Sequence, residues 1–288
     1  MDLNAVVIGC GRMGASASRR LINIVPEGWL PISHAECCIE AKGINLIGLS
    51  DLNSELLVEV GARYNIDTLS ENYEKLLDNK RPDIICIATR TPSKSEIISS
   101  ACKVGTKGIY VEKPLANSIA GCERVLNELA NSSCLVSYGV NRRFHDCYRK
   151  AKEMVESGVV GHLKEVVIEF GASQLLWTHP HTMDLLIYYA GIPLKLRSDL
   201  LNSSLMLKDG HCIDSDPIIE SAQFVFENNV RGTIITGDGS IVRLHCSEGI
   251  ITIHGDGAFL QTSTRVHSNS PYFLKQSNYH PKSPVSAT

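Results

Sequence analysis

No stretch of this 288-residue chain reaches the roughly 18 consecutive apolar residues that a membrane-spanning helix needs, although 43% of its residues are hydrophobic. Charge of one sign is also missing. Its 28 Lys and Arg face 31 Asp and Glu, a net charge of −3, which argues against nucleic acid or an anionic membrane as a partner. There is no CxxC, and none of the ten cysteines joins histidines at zinc-site spacing. Apart from Cys37-Cys38 they stand singly, mostly in apolar runs such as those around Cys10, Cys86, Cys102 and Cys246, where cysteine behaves as a small hydrophobe. We therefore expect no disulfide framework and no metal site, and a reducing, cytoplasmic setting. Internal repeats are lacking. The opening MDLNAVVIGCG carries an acid and runs straight into a strand pattern, unlike a signal peptide.

The pattern that is present alternates. LNAVVI, INLIGLS, IICIAT, GIYV and CLVSYGVN are short apolar runs of the kind that form strands covered on both faces. Between them lie segments of helical spacing: ASASRRLINIV, LNSELLVEVGARY with Asn53 or Ser54 as its cap, SENYEKLLDN, PSKSEIISSACKVG ending at Gly105, and SIAGCERVLNELANSS. Strands alternating with helices predict βαβ units and a doubly wound parallel sheet over residues 1–140. Residues 141–288 read differently. A helix over 144–157 is followed by strand-rich LKEVVIEF, one apolar helix MDLLIYYAG, then AQFVFEN, VRGTIITGDG, IVRLHCSEG and IITIHGDGAFLQTST, an antiparallel α+β pattern. The Ser/Asn/Pro-rich tail from about Val266 is expected to be loosely ordered. Residues 25–43 form an unusually long link where 2–6 residues are usual. They read first as a tolerated surface insertion, or else as a loop at the adenosine end of a cofactor site or an oligomer contact.

Gly9-Cys10-Gly11-Arg12-Met13-Gly14 follows the first strand pattern and opens the first helix, the context that a dinucleotide-binding GxGxxG requires. Its three glycines serve a tight turn, close approach of backbone to a pyrophosphate, and helix–strand packing. Arg12 reaches either a phosphate or solvent. Asp51, ending the second strand, suits the ribose hydroxyls. Leu52, Asn53 and Ser54 follow it instead of an arginine, which favours NAD and leaves NADP open. Thr89-Arg90-Thr91-Pro92 and Glu112-Lys113-Pro114 end the third and fourth strands of the pattern, at the carboxyl edge where such sheets bind ligands. Lys113 is either half of an exposed strand-end ion pair with Glu112 or a proton donor and acceptor. His179-Pro180-His181-Thr182-Met183-Asp184 opens the apolar helix. His181 and Asp184 share a helical face, so Asp184 either fixes the tautomer of His181 or serves as a first-turn dipole partner.

In order, VVIGCGRMG, LIGLSD, PDIICIATRTPSKSEIISSACKVGTKGIYVEKPLA, VSYGVNRRFHD, ESGVVGHLKEV and HTMDLLIYYAG resemble the Gfo/Idh/MocA oxidoreductases. The resemblance implies an α/β protein: a Rossmann domain, then an α+β domain with an open-faced, mainly antiparallel sheet. It implies NAD(P)-dependent transfer of hydride at a sugar, cyclitol or sugar-derivative hydroxyl or carbonyl, and a homo-oligomer, dimer or tetramer. It assigns Lys113 to the reacting oxygen, within a Lys-Pro bond that is often cis, and His181 to acid–base work. It also places Asn141, Arg142 and Arg143 near the substrate. One departure stands out. The family commonly has an aspartate four residues before the histidine, and here that position is Trp177, with no acid from Gly171 to Met183. Trp177 would then line the pocket against a sugar ring or the nicotinamide. The departure keeps two alternatives open: a bilin or imine reductase on the same scaffold, and a catalytically weak, nucleotide-bound sensor.

Overall fold

The computed structural model describes residues 2–171, 173–201, 207–208, 212–213, 216–237, 239–266, 272 and 275–281. They fall into two compact units, each described by itself. The first comprises Met1–Val25, Leu30–Gly139 and Met206–Asp214; the second comprises Pro26–Trp29, Val140–Leu205 and Ser215–Thr288. The chain thus changes unit not only after Gly139 but also for four residues inside the long 25–43 link and for a short stretch after residue 205.

The first unit is built on six parallel strands: β1 (Leu3–Ile8), β2 (Ile44–Ser50), β3 (Leu69–Ser70), β4 (Ile84–Ile87), β5 (Gly108–Val111) and β6 (Leu135–Tyr138). Their order is β3-β2-β1-β4-β5-β6. Successive side chains of a strand point to opposite faces, so β1 serves two cores. Val6 and Ile8 join Leu77, Ile85, Ile97, Ile98 and Val125 on one face, while Ala5 and Val7 join Ala35, Cys38, Leu49, Leu57 and Val60 on the other. The covering helices are α1 (Ala17–Leu21), α2 (His34–Glu40), α3 (Ser54–Tyr64), α4 (Tyr73–Lys80), α5 (Lys94–Val104) and α6 (Ile119–Ala130). Asn53 caps α3 through Leu56 N, Asn72 caps α4, Ser118 caps α6, and Gly105 at φ +80° ends α5.

Two expectations about the first connection change. The helix after the glycine loop is short: a π-wound turn over Arg12–Ser16, then α1, which stops at Leu21. Helical spacing continues through Ile22 and Ile24, yet both are exposed, and Asn23 takes a left-handed φ of 66° that ends the helix. The 25–43 link is not a surface insertion. Its residues His34–Glu40 form α2, which buries Ala35 and Cys38 against the sheet, with Cys38 Sγ 3.7 Å from Cys86 Sγ of β4.

In the second unit, α7 (Asp146–Glu156) and α8 (His179–Ala190) accompany a sheet of β7 (Leu163–Glu169), β8 (Ser173–Gln174), β9 (Pro193–Leu201), β12 (Ile218–Phe226), β13 (Arg231–Ile235), β14 (Ile241–Cys246), β15 (Gly249–His254), β16 (Phe259–Thr264) and β17 (Lys275–Tyr279). Every pairing is antiparallel except β7 with β13. Alternation, shifted once by a bulge between Ile219 and Ser221, sends Ile219, Ala222, Phe224 and Phe226 of β12 inward, where they meet Leu185, Leu186 and Tyr189 of α8 and Tyr148 of α7. The tail is only partly as expected. Lys275–Tyr279 pairs in register with β16 as β17, and residues 267–271, 273–274 and 282–288 lie outside the described ones. Strand β9, where Leu194 and Leu196 alternate with Lys195 and Arg197, is a strand that the sequence reading did not name. Between β9 and β12, β10 (Leu207–Lys208) and β11 (Cys212–Ile213) pair as a hairpin. The hairpin joins the first unit, where Ile213 N donates to Asn117 O at 2.9 Å.

Candidate functional site

At the carboxyl edge of the first sheet, strand order decides what lies beside what. The glycine loop leaves β1, Thr89 and Arg90 follow β4, and Glu112-Lys113 follow β5; Asp51 follows β2, on the other side of β1. Neighbouring strands lie about 4.8 Å apart, so the glycine loop and Lys113 are separated by about 10 Å along the sheet edge. The strand order reverses its direction of growth between β1 and β4, the point where open α/β sheets bind ligands.

The loop is shaped by contacts that only glycine permits. Gly9 has φ +91°, and a Cβ there would sit 2.8 Å from Ala88 C. A Cβ on Gly14 would lie 1.8 Å from Gly9 O, so the first turn packs directly on the loop. At Gly11 a Cβ would meet nothing within 4 Å, which leaves open space above the backbone. Among the described residues no side chain caps the turn that starts at Arg12, so its first N–H groups are left for solvent or a ligand. Arg12 is exposed and Met13 half-buried. Asp51 is anchored: its Oδ2 accepts from Cys10 N at 2.7 Å and its Oδ1 from Asn53 N at 2.9 Å. The carboxylate ties the glycine loop to the start of α3 and keeps lone pairs for ribose hydroxyls. A cradle bare of side chains, donor N–H groups and an anchored acid together fit a dinucleotide. Thr89 is half-buried, its hydroxyl accepting from Ser93 Oγ at 3.0 Å. Arg90 and Pro92 are exposed on the turn that leads into α5.

The Glu112-Lys113-Pro114 turn is held from within the unit. Its Lys113-Pro114 bond is cis. Glu112 is 6% exposed and does not pair with solvent. Its Oε1 lies 3.0 Å from Nε2 of His34, and the His34 ring meets Tyr110 edge-on with centroids 4.9 Å apart. Lys94, only 1% exposed, donates from Nζ to Glu112 O at 2.6 Å and to Pro114 O at 2.7 Å. Burial pushes the Lys94 ammonium down to about 8, against a smaller upward pull from Glu112. The sequence pattern pointed to neither residue. His34 lies inside the long 25–43 link, and Lys94 resembles any polar residue at a helix start. Its only signal is a charge at a position that the helical apolar stripe of Ile97, Ile98 and Ala101 continues into.

In the second unit, the turn Asn141–Phe144 packs against α8. Here the expected partnerships rearrange. Asp184 is held by Arg143: Nε donates to Oδ2 at 3.0 Å and Nη2 donates to Oδ1. Both carboxylate oxygens thus serve an arginine, where a tautomer-fixing bond to His181 was one expectation. Burial raises the Asp184 carboxyl, and Arg143 opposes the rise. Arg142, expected near a substrate, makes a two-bond pair with Asp256, Nε to Oδ1 at 2.8 Å and Nη2 to Oδ2 at 2.7 Å. Tyr148 also donates to that carboxylate at 2.8 Å, and Trp29 Nε1 donates to Asp256 O at 2.7 Å. The guanidinium lies over Phe170 and Trp29. Arg142 is therefore spent on holding residues 26–29 and the 255–257 turn within this unit. Asn141 and His181 are half-buried and Trp177 is 55% exposed. His179 is the buried histidine of the pair, bonded to Thr182 and Ser173, with burial pushing it down. No acid occurs in 171–183, but Asp216 brings one: its Oδ1 accepts from Leu176 N at 2.7 Å. Among the described residues no group of three His, Cys, Asp or Glu is placed to hold a metal, and no helix is long and apolar enough to cross a membrane.

Residues 3–140 match a family model described as "Oxidoreductase family, NAD-binding Rossmann fold". Among curated proteins, myo-inositol 2-dehydrogenase of Thermotoga maritima is 26% identical over 140 residues, which is 49% of this chain and 42% of that protein. The chain therefore aligns with less than half the length of that relative. Among solved structures, an NAD binding oxidoreductase from Klebsiella pneumoniae superposes with a TM-score of 0.75 at 15% identity, covering 98% of this chain and 80% of that one. Myo-inositol 2-dehydrogenase from Lactobacillus plantarum gives 0.69 at 21% identity, covering 88% and 76%. At these identities the structures share the fold, a parallel nucleotide-binding sheet followed by a mainly antiparallel one. The matched residues 3–140 carry all six strands of the parallel sheet, and over them the chain is similar to the Gfo/Idh/MocA oxidoreductases.

Proposed function

We propose that the protein is an NAD-dependent dehydrogenase or reductase acting on a CH–OH group of a cyclitol or sugar derivative, within the cytoplasm and as a homo-oligomer. The observation that carries this reading is Lys113, braced by Glu112 and Lys94 two strands from an open glycine cradle on one sheet edge. Bound nicotinamide would accept or supply the hydride. Asp51 and the Gly11 backbone would hold the adenosine ribose and the pyrophosphate. The acid at Asp51 and the lack of a following arginine support NAD over NADP. Lys113 Nζ would hold the proton exchanged with the substrate oxygen. His181, half-buried in the first turn of α8, is the second proton-exchanging candidate. Inositol dehydrogenases among the relatives support a cyclitol as substrate. The test is NADH formation with a panel of inositols and sugars. Lys113→Ala should lose about 10²–10⁴-fold in rate, the size of general acid–base catalysis, while NADH binding persists. Turnover at the wild-type rate in that variant would sink the assignment.

A further inference from the structure

Lysine is among the side chains least often buried completely, and a buried ammonium is costly unless its donors are met. Lys94 is the first residue of α5, 1% exposed, and the two acceptors of its Nζ are main-chain carbonyls rather than a carboxylate. Those carbonyls belong to Glu112 and Pro114, the residues on either side of Lys113. Two bonds of 2.6 and 2.7 Å from one Nζ fix the backbone on both sides of a single residue. The charged groups acting on Lys94 are Glu112, which attracts it, and Lys113, which repels it; His34 stands behind Glu112. A hydrophobic residue would close the core at less cost. Only a cation or a donor holds both carbonyls, and only a cation does so while repelling the Lys113 ammonium.

We propose that Lys94 is the positioning residue for Lys113: by clamping the carbonyls of Glu112 and Pro114, it fixes where the Lys113 amine sits and destabilises its protonated form. The proposal rests on the reading of Lys113 as the proton-exchanging group, but it concerns the amine itself and does not need turnover to be tested. Lys113 reactivity can be read by trace labelling of the full-length chain with acetic anhydride across a pH series, followed by peptide mass spectrometry. NADH binding is measured in parallel by fluorescence.

In Lys94→Met the Lys113 labelling midpoint should rise by about one pH unit, the lower end of the range for a neighbouring charge, and its labelling rate near neutrality should fall several-fold. Lys94→Arg, which keeps the charge and donors, should restore most of both. NADH binding should stay within a factor of about three in both variants. A Lys113 profile in folded Lys94→Met that superposes on wild type overturns the proposal. If Lys94→Met does not fold, the wild-type profile decides. Loss of the Lys94 proton removes the repulsion, so Lys113 labelling should show a second inflection near the titration of Lys94, and a single smooth step overturns the proposal. Absence of NADH binding in the wild type would instead defeat the cofactor reading and leave the Lys94–Lys113 coupling as measured.

Discussion

His34 and Glu112 are 78 positions apart in the chain, yet His34 Nε2 lies 3.0 Å from Glu112 Oε1, with both side chains less than a tenth exposed. With the Glu112 oxygen accepting, Nε2 of His34 donates the bond, and His34 Nδ1 has no hydrogen-bond partner among the described residues. Replacing His34 by Phe keeps the ring against Tyr110 and removes the donor, stranding a buried carboxylate. We predict a loss of about 2–4 kcal/mol in urea unfolding, the range for a buried charge deprived of its partner. Adding Glu112→Gln, which removes the charge, should return at least about 1 kcal/mol of that. An additive double variant would show that the pair is not coupled.

The glycine loop separates folding from binding in one comparison. A methyl on Gly14 would fall 1.8 Å from Gly9 O, so Gly14→Ala should fail to fold or should melt far below wild type. A methyl on Gly11 meets nothing within 4 Å. Gly11→Ala should therefore unfold within about 0.5 kcal/mol of wild type, as surface substitutions do. Its methyl would nevertheless fill the space where a pyrophosphate approaches the backbone, and NADH should bind at least about ten-fold more weakly by fluorescence titration. Equal affinity in Gly11→Ala would place the nucleotide elsewhere.

How much of this was legible follows from the range of the interactions. The alternation of β1, β2, β4 and β5 with their helices, the glycine loop and Asp51 are local patterns, and each lies where the periodicity puts it. Lys113 was visible because Glu-Lys-Pro ends a strand run. Its supports were not. His34 reaches Glu112 across 78 residues, and Lys94 binds carbonyls, which leave no mark in a sequence. The partner of Arg142 was hidden for the same reason. A basic residue after the last strand of the first sheet looks available to a substrate until Asp256, 114 positions later, is found to occupy it. Strand β9 was passed over although Leu194 and Leu196 alternate with Lys195 and Arg197; both leucines are exposed, so that alternation marks no buried face.

Arg142 yields a prediction that separates a structural arginine from a substrate-binding one. Its guanidinium is half-buried against Trp29 and Phe170 and makes two bonds to Asp256. Asp256→Asn keeps the shape but leaves the cation without its counter-charge. Unfolding free energy should fall by about 1–3 kcal/mol, less than the cost of breaking one side of a fully buried pair because Asp256 is 26% exposed. If the pair serves structure alone, any folded fraction should retain the wild-type KM. A raised KM with unchanged stability would return Arg142 to the binding site.

Lys94 sets a pH dependence whose sign can be worked out. Burial holds its ammonium at about 8 in the folded chain, against an ordinary 10.5. Between those values the unfolded chain carries a proton that the folded chain lacks, so stability rises with pH. Below about pH 8 both states are protonated and the penalty of burying the cation is present in full. Above about pH 10.5 it is gone. The contribution across this window is ~3 kcal/mol, from about 1.4 kcal/mol for each pH unit between the folded and unfolded values. Cysteines and tyrosines also titrate in this range, so the quantity to measure is a difference. Urea unfolding of wild type and Lys94→Met should be followed from neutral pH to about pH 10. Wild type should gain stability relative to the variant as pH rises. Parallel curves would mean that Lys94 titrates at its ordinary value and that its charge is not buried at the cost inferred from its 1% exposure.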